Sequence, residues 1–483
     1  MTRNSSAALA PLAAALLAAA SSAGCLVGPD YKRPDAPTPV AFKEQPPPGT
    51  WKTAQPSDGA VRGKWWEIFG DAQLNALEEK IAVSNQTLKA ATAQYLAALD
   101  QVRVARAAYF PTAGISAAAT RIRISENQPT VVRGVSRLDY SLFTLQGQAQ
   151  WEPDLWGQVR RTVEQTRATA QANAADLANV ALSLQGELAA DYFQLRGLDV
   201  QKRLLENTLA SDADALQLAR VRFNGGVANA VDVAQAETQY RTVKAQAIDT
   251  GVARAQFEHA IATLIGVPAS AFALAPNPTV IPLPPVPAAV PSALLERRPD
   301  VAAAERRTAA ANAQIGVAVA AYYPNLTLTA AGGLASGSLG TLLQVPSLLW
   351  SLGASAVETL FDAGRRHALT DQARDLYAAQ VAGYRQSVLV AFQEVEDNLA
   401  ALRILDEEAQ AQTAAVESAR ESLSLSSKRY KGGVTTYLEV LTAQTIQLSN
   451  ERAQADVATR RLLASVQLIR ALGGGWGGGH SEN

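Results

Sequence analysis

The chain has 483 residues, with 43 basic and 44 acidic side chains giving a formal net charge of −1, and 6% aromatic residues. Balanced charge excludes a polyanionic partner such as nucleic acid, and an alanine-rich, aromatic-poor composition describes long packed helices in place of bulky globular cores. A single cysteine excludes any disulfide within the chain.

Arg3, the apolar run Ala7 to Ala20 and Ser22-Ala23-Gly24-Cys25 read as a secretory signal over residues 1–24, the run being too short to span a bilayer. Cys25 follows two small residues and is the expected lipid acceptor on the new N-terminus; the alternative is an ordinary cleaved signal with an incidental cysteine. No later stretch is long and apolar enough for a transmembrane helix. Prolines then divide the chain, because helix interiors and central strands exclude them. They crowd between Pro29 and Pro56 and between Pro276 and Pro291, and are absent from Asp154 to Val267 and after Pro346. Residues 25–70 are thus a proline-rich linker, 71–275 and 292–473 two structured halves, 276–291 a connector and 474–483 a glycine-rich tail.

The spacing of Leu74, Leu77, Ile81, Leu88, Tyr95, Leu99 and Val102 predicts one helix from Asp71 to Tyr109, ended by Pro111. Its counterpart, Pro299 to Tyr322, opens with a proline suited to the first helical position and ends before Pro324. After each, the period falls to two. Phe143, Leu145, Gly147, Ala149 and Trp151 alternate with Thr144, Gln146, Gln148 and Gln150; Leu326, Leu328 and Ala330 alternate with Thr327 and Thr329; Leu348, Trp350, Leu352, Ala354 and Ala356 alternate with residues such as Ser351 and Ser355. Four strands follow: Thr112 to Ile124, Leu138 to Trp151, Pro324 to Ser336 and Ser347 to Leu360. Ser125 to Arg137 and Gly337 to Pro346 are the loops between paired strands. One apolar face over ten or so residues suits transmembrane barrel strands or a soluble hairpin with one buried face, and the export signal favours the membrane. Four strands are too few to close a barrel, so several copies must contribute.

Gln158 to Phe223 and Arg365 to Tyr430 are long helices, ~100 Å each at about 1.5 Å per residue. Leu188, Leu195, Leu209, Leu216 and Phe223 share one seven-residue register and Leu177, Leu184, Leu198 and Leu205 another, a coiled-coil seam interrupted by Asp191, Lys202 and Asp212. Each long helix runs into paired glycines, Gly225-Gly226 and Gly432-Gly433, and returns as Asn229 to Ile265 or Thr436 to Leu472. Arg222, Gly225, Gly226, Val227, Val233, Ala236, Thr238, Asp249, Arg254 and Gly266 recur at one constant offset as Arg429, Gly432, Gly433, Val434, Val440, Ala443, Thr445, Asp456, Arg461 and Gly473. The chain is therefore expected to contain one unit twice.

No phosphate loop, dinucleotide fingerprint, nucleophile elbow or metal-ligand cluster occurs. His259, His367 and His480 assemble no acid–base constellation, so neither catalysis nor a cofactor nor a metal is expected.

Gly28-Pro29-Asp30-Tyr31-Lys32-Arg33-Pro34 just after Cys25, Trp65-Trp66 with Phe69 and Asp71, Tyr109-Phe110-Pro111, Trp151-Glu152-Pro153-Asp154-Leu155-Trp156-Gly157, Arg298-Pro299-Asp300-Val301, Leu360-Phe361-Asp362-Ala363-Gly364-Arg365-Arg366, the two Gly-Gly-Val turns and Ala471-Leu472-Gly473-Gly474-Gly475-Trp476 together resemble the OprM/NodT lipoprotein branch of the TolC-like outer-membrane efflux channels. The resemblance covers the whole mature chain. It implies an α+β membrane protein whose long antiparallel helical hairpins form a periplasmic tunnel and whose four strands per protomer complete a twelve-stranded barrel in a homotrimer, lipid-anchored in the outer membrane. It implies as partners a periplasmic adaptor and an inner-membrane pump of the resistance-nodulation-division type, and as cargo drugs, dyes, metals or other small molecules. The tips that meet the adaptor map onto Gly226, Val227, Ala228, Gly433, Val434 and Thr435, and the gate onto Leu438 and Thr442. Spacing alone leaves Leu438 open between a gate and a packing residue. Two rival classes, a periplasmic adaptor and a structural envelope coiled coil, account less well for a doubled hairpin and four strands.

Overall fold

The computed structural model describes residues 26–39, 42–44, 64–125, 139–284 and 298–474. In chain order the elements are α1 (Ala72–Ser84), α2 (Gln86–Ala107), β1 (Thr112–Arg123), β2 (Asp139–Trp151), α3 (Gln158–Asn224), α4 (Ala230–Leu264), α5 (Pro299–Ala320), β3 (Asn325–Ser336), β4 (Leu348–Val357), α6 (Arg365–Lys431) and α7 (Tyr437–Ala471). Helices α3 and α6 have 67 residues each, α4 and α7 35 each. The expected signal, Cys25, residues 126–138 of the first loop, residues 285–297 and the tail from 475 lie outside the described residues. Among the described residues no helix is long and apolar enough to cross a membrane.

Two compact units are present. One contains the described residues up to Pro34, with Leu96–Ala172 and Glu305–Gly383. Its strands form an antiparallel sheet of order β1-β2-β3-β4. The register sets Ile115 opposite Gly147, Leu145 opposite Leu334, and Gly332 opposite Trp350. Side chains alternate across a strand, so this pairing gathers Ile115, Leu145, Trp151, Leu334, Leu348, Trp350 and Leu352 on one face and Ser116, Gln146, Gln148, Thr329 and Ser351 on the other. The apolar face is exposed at Ile115, Leu348, Trp350 and Leu352. Each strand-to-helix turn is closed by an aspartate. Asp154 accepts from the backbone N–H groups of Val159 and Arg160, and Asp362 from those of Gly364 and Arg366, while each also takes the guanidinium of Arg160 or Arg366. A carboxylate suits a helix N-terminus, where backbone donors are unpaired. The segment after Cys25 is strapped down in the same unit. Arg161, almost fully buried, donates to the carbonyls of Val27 and Gly28 and to Asp30, Tyr31 donates to Glu305, and Asn312 donates to the carbonyl of Pro29.

The other unit contains Asp35–Tyr95, Asn173–Ala304 and the chain from Tyr384. Its core is built around a short 3-10 turn, Trp65–Phe69, whose Trp65, Trp66 and Phe69 are buried with Leu74, Leu188, Tyr192, Phe193, Leu195 and Leu468. The helix expected from Asp71 to Tyr109 is broken at Asn85. Asn85 leaves helical geometry with ψ 125, accepts from the Leu88 N–H and donates 2.7 Å to the Leu264 carbonyl at the end of α4. One side chain thus caps the start of α2 and satisfies a terminal carbonyl of α4, which an unbroken helix could not do. At Gly266, φ is 72 and an added Cβ would lie 2.4 Å from the Ser84 carbonyl, so only glycine admits this approach.

An ion pair recurs at matching positions of the two halves. Asp199, buried, joins Arg196 at 3.0 Å and Arg254 at 2.7 Å and accepts from the Asn277 N–H; Asp406 joins Arg461 in a more open setting. Removing one partner of a buried pair strands the other charge, whereas open pairs contribute little. Asp199→Ala is expected to destabilise the protein by about 3–5 kcal/mol, and Asp406→Ala by about 1 kcal/mol or less, read from thermal melts of the detergent-solubilised protein.

Glu78 is buried on α1 with neither carboxylate oxygen hydrogen-bonded, and burial pushes its pKa up to about 9. The folded chain therefore holds a proton that the unfolded chain releases near pH 4.5, so this site costs stability increasingly as pH rises from there toward 9. Glu78→Gln should match wild type near pH 4 and exceed its melting temperature by a growing margin up to about pH 9; equal pH profiles would refute the buried acid.

Candidate functional site

The residues singled out at the hairpin tips lie on two reversals of one design. At the first, the Gly226 N–H bonds the Phe223 carbonyl and the Val227 N–H the Arg222 carbonyl, with Gly226 at φ 75. At the second, Gly433 bonds Tyr430 and Val434 bonds Arg429, with Gly433 again at φ 75. Both are Schellman stops, in which a left-handed residue lets two terminal carbonyls find donors. A Cβ on Gly226 would meet nothing within 4 Å, so its requirement there is conformational and not spatial. Val227 and Val434 project into solvent at 70% and 72% exposure, while Ala228 and Thr435 are half-buried. Asn229 then caps α4 through the Asp232 N–H, whereas Thr436 enters α7 with no side-chain cap.

Behind the tips the two hairpins interlock. The Arg222 guanidinium donates 2.7 Å to the Tyr430 carbonyl and lies 4.7 Å from the centre of its ring, a cation–π contact of about 0.5–2 kcal/mol. Tyr430 meets Tyr437 edge-on at 5.5 Å, and the pair packs with Leu216, Ala219, Ala236 and Val440. Asp212, one of the charges that interrupt the leucine seam, is fully buried here, and burial pushes its pKa up to about 6. Burial likewise holds the Tyr437 phenol above its ordinary range. Nothing in helical spacing marked Tyr430, Tyr437 or Asp212 as partners across hairpins; the recurrence of Arg222 as Arg429 was the one available signal.

Helix α7 leaves the second tip with two distinct faces. Tyr437, Val440, Ala443, Gln444 and Leu448 are buried, while Leu438, at 53% exposure, Thr442 and Ile446 form an open row. Thr442 donates 2.9 Å to the Leu438 carbonyl, one turn back. Leu438 therefore takes no part in the core of its own chain. His259 and His367 are exposed, on α4 and α6 respectively, and among the described residues no group of histidine, cysteine and carboxylate side chains could hold a metal ion.

The sequence model of the family described as "Outer membrane efflux protein" matches residues 77–267 and again 290–474. Outer membrane protein OprJ of Pseudomonas aeruginosa is 33% identical over 474 residues, covering 97% of this chain and 96% of its own. The probable efflux pump outer membrane protein TtgC of Pseudomonas putida is 30% identical over 455 residues, 94% of this chain and 93% of its own. Among solved structures, the outer-membrane channel OprN superposes with a TM-score of 0.87 at 30% identity, over 94% of this chain and all of its own. An exposed apolar face on a four-stranded sheet, doubled helical hairpins and these full-length similarities agree: the chain belongs to the outer membrane efflux protein family and is an outer-membrane channel of an efflux system.

Proposed function

We propose that three copies of this chain assemble into a passive conduit, a twelve-stranded barrel in the outer membrane continued by a helical tunnel in the periplasm, through which an inner-membrane pump of the resistance-nodulation-division type exports drugs or other small molecules. The observation that carries this reading is the sheet, whose single apolar face is open to solvent and whose outer strands β1 and β4 have, among the described residues, no further strand beside them. A bilayer tolerates strands only in closed barrels, because every backbone group needs a partner there, and four strands are too few to close. Other copies supply the missing strands. Cys25 carries the lipid, and the two halves act as one repeated unit, giving six hairpins around the axis. The conduit holds no energy source and performs no chemistry of its own.

The tips Gly226, Val227, Ala228, Gly433, Val434 and Thr435 dock the periplasmic adaptor. Exposed valines beside turns that are already satisfied by their own hydrogen bonds suit this role. A bulky residue in place of Ala228 or Val434, where the backbone needs no positive φ, should abolish efflux of an antibiotic in intact cells while heat-stable trimers persist; loss of the trimers would assign these residues to assembly.

Leu438, with Thr442 one turn beyond, closes the pore. Its side chain is free of its own core, so threefold symmetry can bring three copies toward one axis, where a leucine ring offers water and ions no polar partner. Leu438→Ala should raise the resting conductance of the purified protein in planar bilayers and sensitise cells to large antibiotics such as vancomycin. Unchanged conductance with a lowered melting temperature would make Leu438 a packing residue between copies.

A further inference from the structure

The contact between the two hairpins leaves its own complement unused at the opposite sides of the pair. Arg222 and Tyr430 are engaged with each other. At the constant offset that relates the halves, Arg222 corresponds to Arg429 and Tyr430 to Phe223. Both of these are open. The Arg429 side chain is 59% exposed and among the described residues reaches only Glu439, at 3.9 Å, and Phe223 is 45% exposed. Their carbonyls tell the same story. The Tyr430 carbonyl accepts two donors, the Gly433 N–H at 3.0 Å and the Arg222 guanidinium at 2.7 Å, whereas the Phe223 carbonyl accepts the Gly226 N–H alone among the described residues. A carbonyl oxygen has two lone pairs, so Phe223 keeps one vacant in the position that Tyr430 fills.

Each chain thus presents, on its second hairpin, an exposed arginine held only by a long ion pair to Glu439 and, on its first, an exposed aromatic residue whose carbonyl has a vacant lone pair. We propose that Arg429 docks on Phe223 of a second copy of this chain, donating to that copy's Phe223 carbonyl and covering its ring as Arg222 does Tyr430. The contact is head-to-tail, since the surfaces on the two copies differ, and repeated around a threefold axis it closes with no arginine or aromatic left over. It rests on the trimeric reading, and adds which side chains join the hairpins of neighbouring copies.

Photo-cross-linking of the full-length chain in outer membranes tests this. Phe223→p-benzoylphenylalanine keeps an aromatic ring at the site. On irradiation it should join two copies of the chain, with the junction mapped by mass spectrometry to Lys428–Val434, and adding Arg429→Ala should lower the yield several-fold. The same photoreactive residue in place of Tyr430 should instead join within one chain, at Arg222. Trimers that form on native gels while the Phe223 label joins only its own chain, a different protein or another segment would overturn the proposal and leave the trimer standing. Absence of trimers from the unsubstituted chain would overturn both.

Discussion

Backbone N–H and C=O groups along the outer edges of β1 and β4, which no strand of the described residues covers, are the constraint to which the remaining features answer. An open edge next to water invites pairing with other strands, and next to lipid it costs several kcal/mol per unsatisfied group. With one apolar face and two edges that no described strand covers, the sheet suits a segment of the proposed barrel wall. The order β1-β2-β3-β4 brings strands from both halves of the chain side by side, so the halves cannot serve as separable modules. Long helices attached to such a wall inherit its geometry, and the aspartate caps at Asp154 and Asp362 set how each helix leaves its strand.

The helical part meets a different demand, that of long helices with small side chains which bury little apolar area per residue. Stability is gathered at a few places. One is the aromatic cluster around Trp65, Tyr192 and Phe193; another is the Asp199 network, which ties α3 to α4 and to the chain after it; a third is the Tyr430–Tyr437 pair behind the tips. Two of these places also hold a buried acid, Glu78 on α1 beside the aromatic cluster and Asp212 behind the tips, each of which costs stability when ionised.

Much of this was legible in the sequence because it is periodic or local. The alternation around Phe143 to Trp151 placed β2 and its apolar face, and the paired glycines with their flanking residues located both reversals to within a residue or two. Legibility failed where one segment answers to another far away in the chain. Asn85 sits in a pattern that reads as continuous helix, and its break depends on the end of α4 reaching it from 179 residues further on. Spacing likewise could not decide whether Leu438 faced inward or outward; the structure turns Tyr437 and Val440 to the core and leaves Leu438 out. The tips were readable as turns, but the grip of Arg222 on Tyr430 was not, because it links two hairpins that no local rule relates. The motifs that carried the family resemblance prove to be structural at Asp154 and Asp362, where they stop strands and start helices.

The strap formed by Val27 to Tyr31 bears on the proposed lipid at Cys25. Arg161 fixes the carbonyls of Val27 and Gly28 at the first turn of α3, and the Val27 N–H bonds the Trp156 carbonyl at 3.3 Å. Cys25 is two residues away from that clamp, a tether of no more than about 7–8 Å of backbone. An acyl chain on so short a tether could not roam over the membrane to find its place. It would have to enter the bilayer within that reach of the first turn of α3.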